Sequence, residues 1–180
     1  MDATQSGAAT ATVGPLREFR VYMEVRIVEF PETTVAVAEH RGPPDLEHET
    51  AKKLIEWRRQ NHVSPAGHKT YGIHYTDPCT TPPADHRVDF CVSYDQPIHT
   101  NPQGIISKII PACRCAVVRH LGSRAHITAA DYLINEWLPF NEGSLGDFPV
   151  FFHYVNVGPH IKDHEMITDV YLPLALPSVE

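Results

Sequence analysis

The side chains best able to do chemistry in this sequence are its histidines, cysteines and carboxylates, and their spacing limits what they could do. Twelve histidines are present, but they are scattered along the chain. The four cysteines, Cys79, Cys91, Cys113 and Cys115, form no C-x-x-C pair. Cys113 and Cys115 form C-x-C, which as a metal pair would need partners at ligand spacing elsewhere. The plain reading of Cys115 is a small core residue. No G-x-S-x-G, H-E-x-x-H or glycine-rich phosphate loop occurs, so the common nucleophile, zinc and phosphate signatures are missing. No metal or other cofactor is expected, although haem ligation by one of the histidines stays an open alternative.

Two carboxylates recur in matching settings. Glu56 and Glu136 each precede a tryptophan, Trp57 and Trp137. A carboxylate pair could do acid–base work, but the solvated side of a helix explains both. The tryptophans read as core anchors that could present one edge to a cleft. The segment from Val150 to Asn156 carries the most information. By alternation Phe152, Tyr154 and Asn156 share one strand face, while Phe151, His153 and Val155 share the other. Tyr71, Tyr75, Tyr154 and Tyr171 add rings with hydroxyl handles.

These residues are placed by a stretch that occurs twice. Pro31 to Gly42 reads P-E-T-T-V-A-V-A-E-H-R-G, and Pro111 to Gly122 reads P-A-C-R-C-A-V-V-R-H-L-G. One constant offset pairs Pro31 with Pro111, Ala36 with Ala116, Val37 with Val117, His40 with His120 and Gly42 with Gly122. It also pairs Trp57 with Trp137 and Asp89 with Asp169, and it sets Gly72 against Phe152. His40 and His120 each precede a strand-ending glycine, which favours a shared structural role. Two copies are too few for a solenoid, so the expectation is one domain of two related halves, about 80 residues each.

Each half reads strand-strand-helix-strand-strand. The first has strands at 22–30, 35–41, 71–76 and 87–94, with a helix capped by Asp45 that runs to Gln60. The second has strands at 105–110, 115–121, 150–157 and 166–172. Its helix is capped by Ser123 or Thr128 and ended by Pro139. The expected fold class is α+β, an antiparallel sheet with two helices and a hairpin on each side of each helix. The halves, 20–96 and 104–177, would sit about a pseudo-twofold axis with a ligand cleft between them. Residues 1–18 read as a flexible tail before a single domain at 19–177.

The net charge of −7 argues against a general nucleic-acid or membrane surface. No apolar run is long enough to span a bilayer, and no secretory signal is visible. A cytoplasmic protein with reduced thiols is the expectation.

The segments Trp57…Gly67…Tyr71-Gly72-Ile73-His74-Tyr75-Thr76-Asp77-Pro78 and Trp137-Leu138-Pro139…Pro149-Val150-Phe151-Phe152-His153-Tyr154, with the ending Thr168 to Leu174, resemble the GyrI-like small-molecule-binding domain. That family includes the gyrase-inhibitory protein and the effector domains of multidrug-sensing regulators. The resemblance covers residues 20 to 176. It implies a central cleft for amphipathic, often cationic, organic molecules. Its ligand-binding residues would be Tyr71, Gly72, Trp137, Phe152, Tyr154 and Tyr171. Three further readings follow from it: hydrolysis of reactive toxic small molecules, tetrapyrrole binding as in SOUL-type proteins, and action through a protein partner such as DNA gyrase. Two departures matter. No helix-turn-helix precedes the domain in this sequence, so a stand-alone version is the expectation. The family motif P-x-F-E-x-Y reads here Pro149-Val150-Phe151-Phe152-His153-Tyr154, so Phe152 stands where the glutamate would be. Hydrolysis would then need another carboxylate, such as Asp169 or Glu136.

Overall fold

A computed structural model of the chain describes residues 22–141 and 143–175. The proposed 1–18 tail lies outside the described residues. Eight strands, β1 (Val25–Phe30), β2 (Thr33–Arg41), β3 (Thr70–His74), β4 (Arg87–Ser93), β5 (Ile106–Ile110), β6 (Cys113–Leu121), β7 (Phe151–Tyr154) and β8 (Ile167–Pro173), form one antiparallel sheet. The α+β class is as expected. The spatial order is β1-β6-β8-β7-β3-β4-β2-β5. Under the sequence offset this order reads the same from both ends, so the pseudo-twofold axis passes between β7 and β3.

The hairpins before the helices do not form. β1 pairs with β6 of the second half, from Val25↔Val118 to Phe30↔Cys113, and β5 pairs with β2 of the first half. The two halves have exchanged their first strands. The reason lies in the connections Pro31-Glu32 and Pro111-Ala112. A two-residue hairpin needs positive φ at its turn, and proline is fixed near −65°. The hairpins after the helices do form, β3 with β4 and β7 with β8.

The first helix begins with a 3₁₀ turn, Pro44–Leu46, and continues as α1, Glu47–Gln60. The α-helical part is capped by Leu46, one residue beyond the expected Asp45. Its apolar side, Leu54 and Trp57, buries against Ala36, Ala38 and Val92 of β2 and β4. The second helix, α2 here, is irregular. It runs as an α turn Ala129–Asp131, a π stretch Tyr132–Trp137 and a 3₁₀ turn Leu138–Phe140. The Leu138 N–H reaches the Leu133 carbonyl, an i→i+5 bond. Pro139 has no N–H to give, and in a regular helix its ring would crowd the carbonyl four residues back. The wider turn accommodates it, and the helix continues to Phe140 rather than stopping at Pro139. α2 packs Ala129 and Leu133 on Ala116, Val118, Val170 and Leu172.

The other face of the sheet carries no helix, yet Val35, Val37, Ile110, Cys115 and Phe151 on it are fully buried. Burial there requires the sheet to curl into a half-barrel. Phe30 of the edge strand β1 reaches Phe151 at 4.9 Å, Tyr171 at 5.5 Å and Tyr71 at 6.0 Å between ring centroids. These rings fill the interior.

His40 and His120 have the structural role expected. His40 Nε2 donates to the Gly42 and Pro43 carbonyls, each at 3.1 Å, and its Nδ1 accepts from Thr50 Oγ1 at 2.8 Å. His120 Nε2 donates to the Ser123 carbonyl at 2.9 Å. Each histidine pins the turn that leaves its strand, at Gly42 (φ 120°) and Gly122 (φ 109°), a conformation that favours glycine. Cys115 is a core residue, and burial pushes its thiol far above the ordinary value.

Candidate functional site

α1 sits mainly on β2 and β4, and α2 on β6 and β8. The two central strands, β3 and β7, lie between them. Tyr71 and Ile73 point into the half-barrel, so Gly72 and His74 point to the helix side, as alternation requires. Phe152 and Tyr154 of β7 do the same. Gly72 and Phe152 are direct cross-strand partners. The positions that the repeat relates thus face each other across the pseudo-twofold axis.

Gly72 is there to admit Tyr154. A Cβ at residue 72 would lie 2.5 Å from the Tyr154 hydroxyl oxygen, which no ordinary packing allows. The volume that glycine frees is therefore occupied by the Tyr154 ring rather than left open opposite Phe152. Phe152 lies against His74 with ring centroids 4.1 Å apart and planes tilted by 38°, and meets Tyr154 edge-on at 6.4 Å. The Arg124 guanidinium covers the Tyr154 ring at 4.9 Å. Arg124 is held by Thr168 Oγ1 at 2.9 Å and by the Asn156 and Ile167 carbonyls at 2.7 and 3.1 Å. Burial pushes the Tyr154 phenol far above its ordinary value, so it stays a neutral hydroxyl.

His74 was not among the residues expected at the site, although its place two residues after Gly72 puts it on the same face. Burial, with a smaller contribution from His86, lowers its pKa to about 4. It is a neutral imidazole at neutral pH. Its Nε2 is buried and has no hydrogen-bond partner among the described residues, a state that a native protein rarely leaves without reason. Nearby, the Glu47 carboxylate is already engaged with His86 Nε2 at 2.7 Å.

Trp137 is half-buried on α2 against the same core as Phe152, whereas Trp57 is buried and meets Tyr94 edge-on at 5.1 Å. The expected ligand residues do not share one face. Gly72, Phe152 and Tyr154 lie on the helix side of the sheet, and Trp137 packs against the same core as Phe152. Tyr71 and Tyr171 lie on the opposite face, inside the half-barrel, where a groove of about 420 Å³ opens. Asp169 is also on that face, bound by Arg119 through both oxygens at 2.7 and 2.9 Å. Glu136 is exposed on α2. Neither carboxylate is at Phe152. No helix among the described residues is long and apolar enough to cross a membrane.

Comparison with known proteins agrees with this architecture. The family model of the GyrI-like small molecule binding domain matches residues 23–175. The chain is 35% identical over 155 residues to the probable transcriptional regulator YgiV of Escherichia coli K12, which covers 85% of this chain and 97% of YgiV. Among solved structures, the EcmrR C-terminal domain superposes with a TM-score of 0.65 at 20% identity, over 86% of this chain and 99% of that one. A hydrolase from Listeria innocua superposes at 0.57 with 11% identity, over 87% and 94%; at these identities the likeness is one of fold. The chain belongs to the family of GyrI-like small-molecule-binding domains.

Proposed function

We propose that the chain binds aromatic or amphipathic small molecules on the helix side of the sheet, over the Phe152–His74 ring pair, without requiring a positive charge on the ligand. The observation that carries this reading is the make-up of the floor. Phe152, His74, Gly72 and Tyr154 present rings, backbone and a neutral imidazole, and the neighbouring Glu47 is held by His86. A buried carboxylate would select cations by pairing charge in a poorly solvated site. A phenyl ring offers a cation only about 0.5–2 kcal/mol and takes a neutral ring equally well. A role in sensing or resisting drugs or toxins fits such a site, because selection by shape and stacking tolerates varied ligands.

The test is a thermal-shift titration with neutral and cationic aromatics of matched size, since a ligand that binds only the folded state raises the midpoint. Phe152→Ala should abolish the shifts for both. Phe152→Glu should restore the shift for cations alone. Shifts unchanged in Phe152→Ala would place the ligand elsewhere.

A further inference from the structure

We propose that the groove inside the half-barrel is a second binding site, distinct from the helix-side floor, and that it takes an aromatic carboxylate. Its volume of about 420 Å³ lies within the range of small-molecule sites. The rings of Tyr71 and Tyr171 form its wall, backed by Phe30. The charges around it do not cancel. Arg119 and Asp169 neutralise each other in their bidentate pair. Arg26 and Lys69 also line the groove, and neither side chain has a hydrogen bond or a carboxylate partner among the described residues. Both nevertheless act on its walls. Arg26 helps to draw the Tyr171 phenol down against the larger upward effect of its burial, and Lys69 adds to burial in lowering His153. Glu29 also lines the groove; its carboxylate lies 3.9 Å from Arg114 and pairs with neither Arg26 nor Lys69.

The other half supplies an internal control. Under the repeat offset Arg26 corresponds to Ile106, Lys69 to Pro149 and Val28 to Lys108. In the first half Lys108 enters the interior and bonds Asp89 at 2.6 Å. At the equivalent place in the groove, Val28 is short and leaves room. Two cations without a carboxylate partner therefore flank an aromatic groove in a chain whose net charge is −7, and with Glu29 counted the lining still carries three cations against two carboxylates. A planar ring against Tyr71 and Tyr171, with its carboxylate between Arg26 and Lys69, satisfies both features.

The test is calorimetric titration of the full chain carrying Phe152→Ala, which removes the helix-side site where a neutral ring also binds, with 2-naphthoate and with 2-naphthylmethanol, its neutral counterpart. This chain should bind 2-naphthoate about tenfold more tightly at low salt, with the preference falling as salt rises. Arg26→Gln and Lys69→Gln should each weaken 2-naphthoate about threefold and together remove the preference. Both positions are exposed, so these variants should melt as Phe152→Ala alone does, which checks their folding. Phe152→Glu should leave 2-naphthoate binding intact, which separates this site from the helix-side one. Equal affinity for the two probes, a preference that survives the double variant, or its loss in Phe152→Glu would each overturn the proposal.

Discussion

The two halves place an aspartate at the same position of the same strand and surround it in opposite ways. Asp89 is fully buried and accepts from Arg41 at 3.2 Å, Lys108 at 2.6 Å and the Tyr75 hydroxyl at 2.9 Å, while Glu39 joins Lys108 and Arg41. Two acids and two bases balance, and a lysine occupies the interior. Burial, then the hydrogen bond to Asp89, pushes the Tyr75 phenol up to about 12. Asp169 has one guanidinium partner, Arg119, which is half-exposed at 49%. Where Lys108 stands in one half, Val28 stands in the other. One end of the half-barrel is thus closed by a polar network, and the other is an open groove. A duplicated fold has kept its scaffold while one copy closes and the other opens, a change that a single interior residue can make.

The largest effect should come from separating the halves. Each sheet half needs the other's first strand, so fragments divided near His99 should show no cooperative melt by circular dichroism. Two independently stable fragments would contradict the exchange of strands. Next in size is the aspartate pair. Asp89→Asn should cost about 3 kcal/mol, because it leaves two cations facing an amide in a buried network. Asp169→Asn should cost about 1 kcal/mol, because Arg119 can turn to water. Equal losses in denaturant titrations would erase the contrast.

A pH effect follows from His74. Its folded pKa, about 4, lies below the ordinary 6.5, so the unfolded chain takes up a proton first as pH falls. Stability is full above about pH 6.5 and declines toward pH 4, by up to roughly 2–3 kcal/mol. His74→Leu should flatten that part of the profile, and an unchanged slope would count against a buried neutral imidazole. The smallest effect concerns the central pair. Gly72→Ala should cost about 1–2 kcal/mol, because the Tyr154 hydroxyl must move. Tyr154→Phe in the same chain should recover part of the loss, and additive losses would show that the hydroxyl is not the obstacle.

Much of this was legible in the sequence. The repeated Pro-Ala-Val-His-Gly block and the two tryptophans gave the duplication, and period and turn residues gave the strands and helices. Strand exchange was not read, because pairing of neighbours is the usual default. The signal was nevertheless present in Pro31-Glu32, which cannot make a tight hairpin turn. The division of the site was also implicit. Tyr71 and Gly72 are adjacent in a strand, so they cannot face one cleft together. The insertion of Lys108 was beyond sequence reading, since which face of β5 turns inward depends on its pairing with β2. The ring of Tyr154 filling the space at Gly72 depends on cross-strand register, which the sequence does not print.

The central claim is that the floor at Phe152 selects rings rather than charge. Calorimetric titration of the wild type with 2-naphthylmethanol and 2-naphthylmethylammonium, which differ in charge but not in ring, tests it most directly. The account predicts affinities within about threefold of each other, and a cation preference of about tenfold or more, roughly 1.4 kcal/mol, appearing only in Phe152→Glu. A wild type that already prefers the ammonium by more than about tenfold would contradict it.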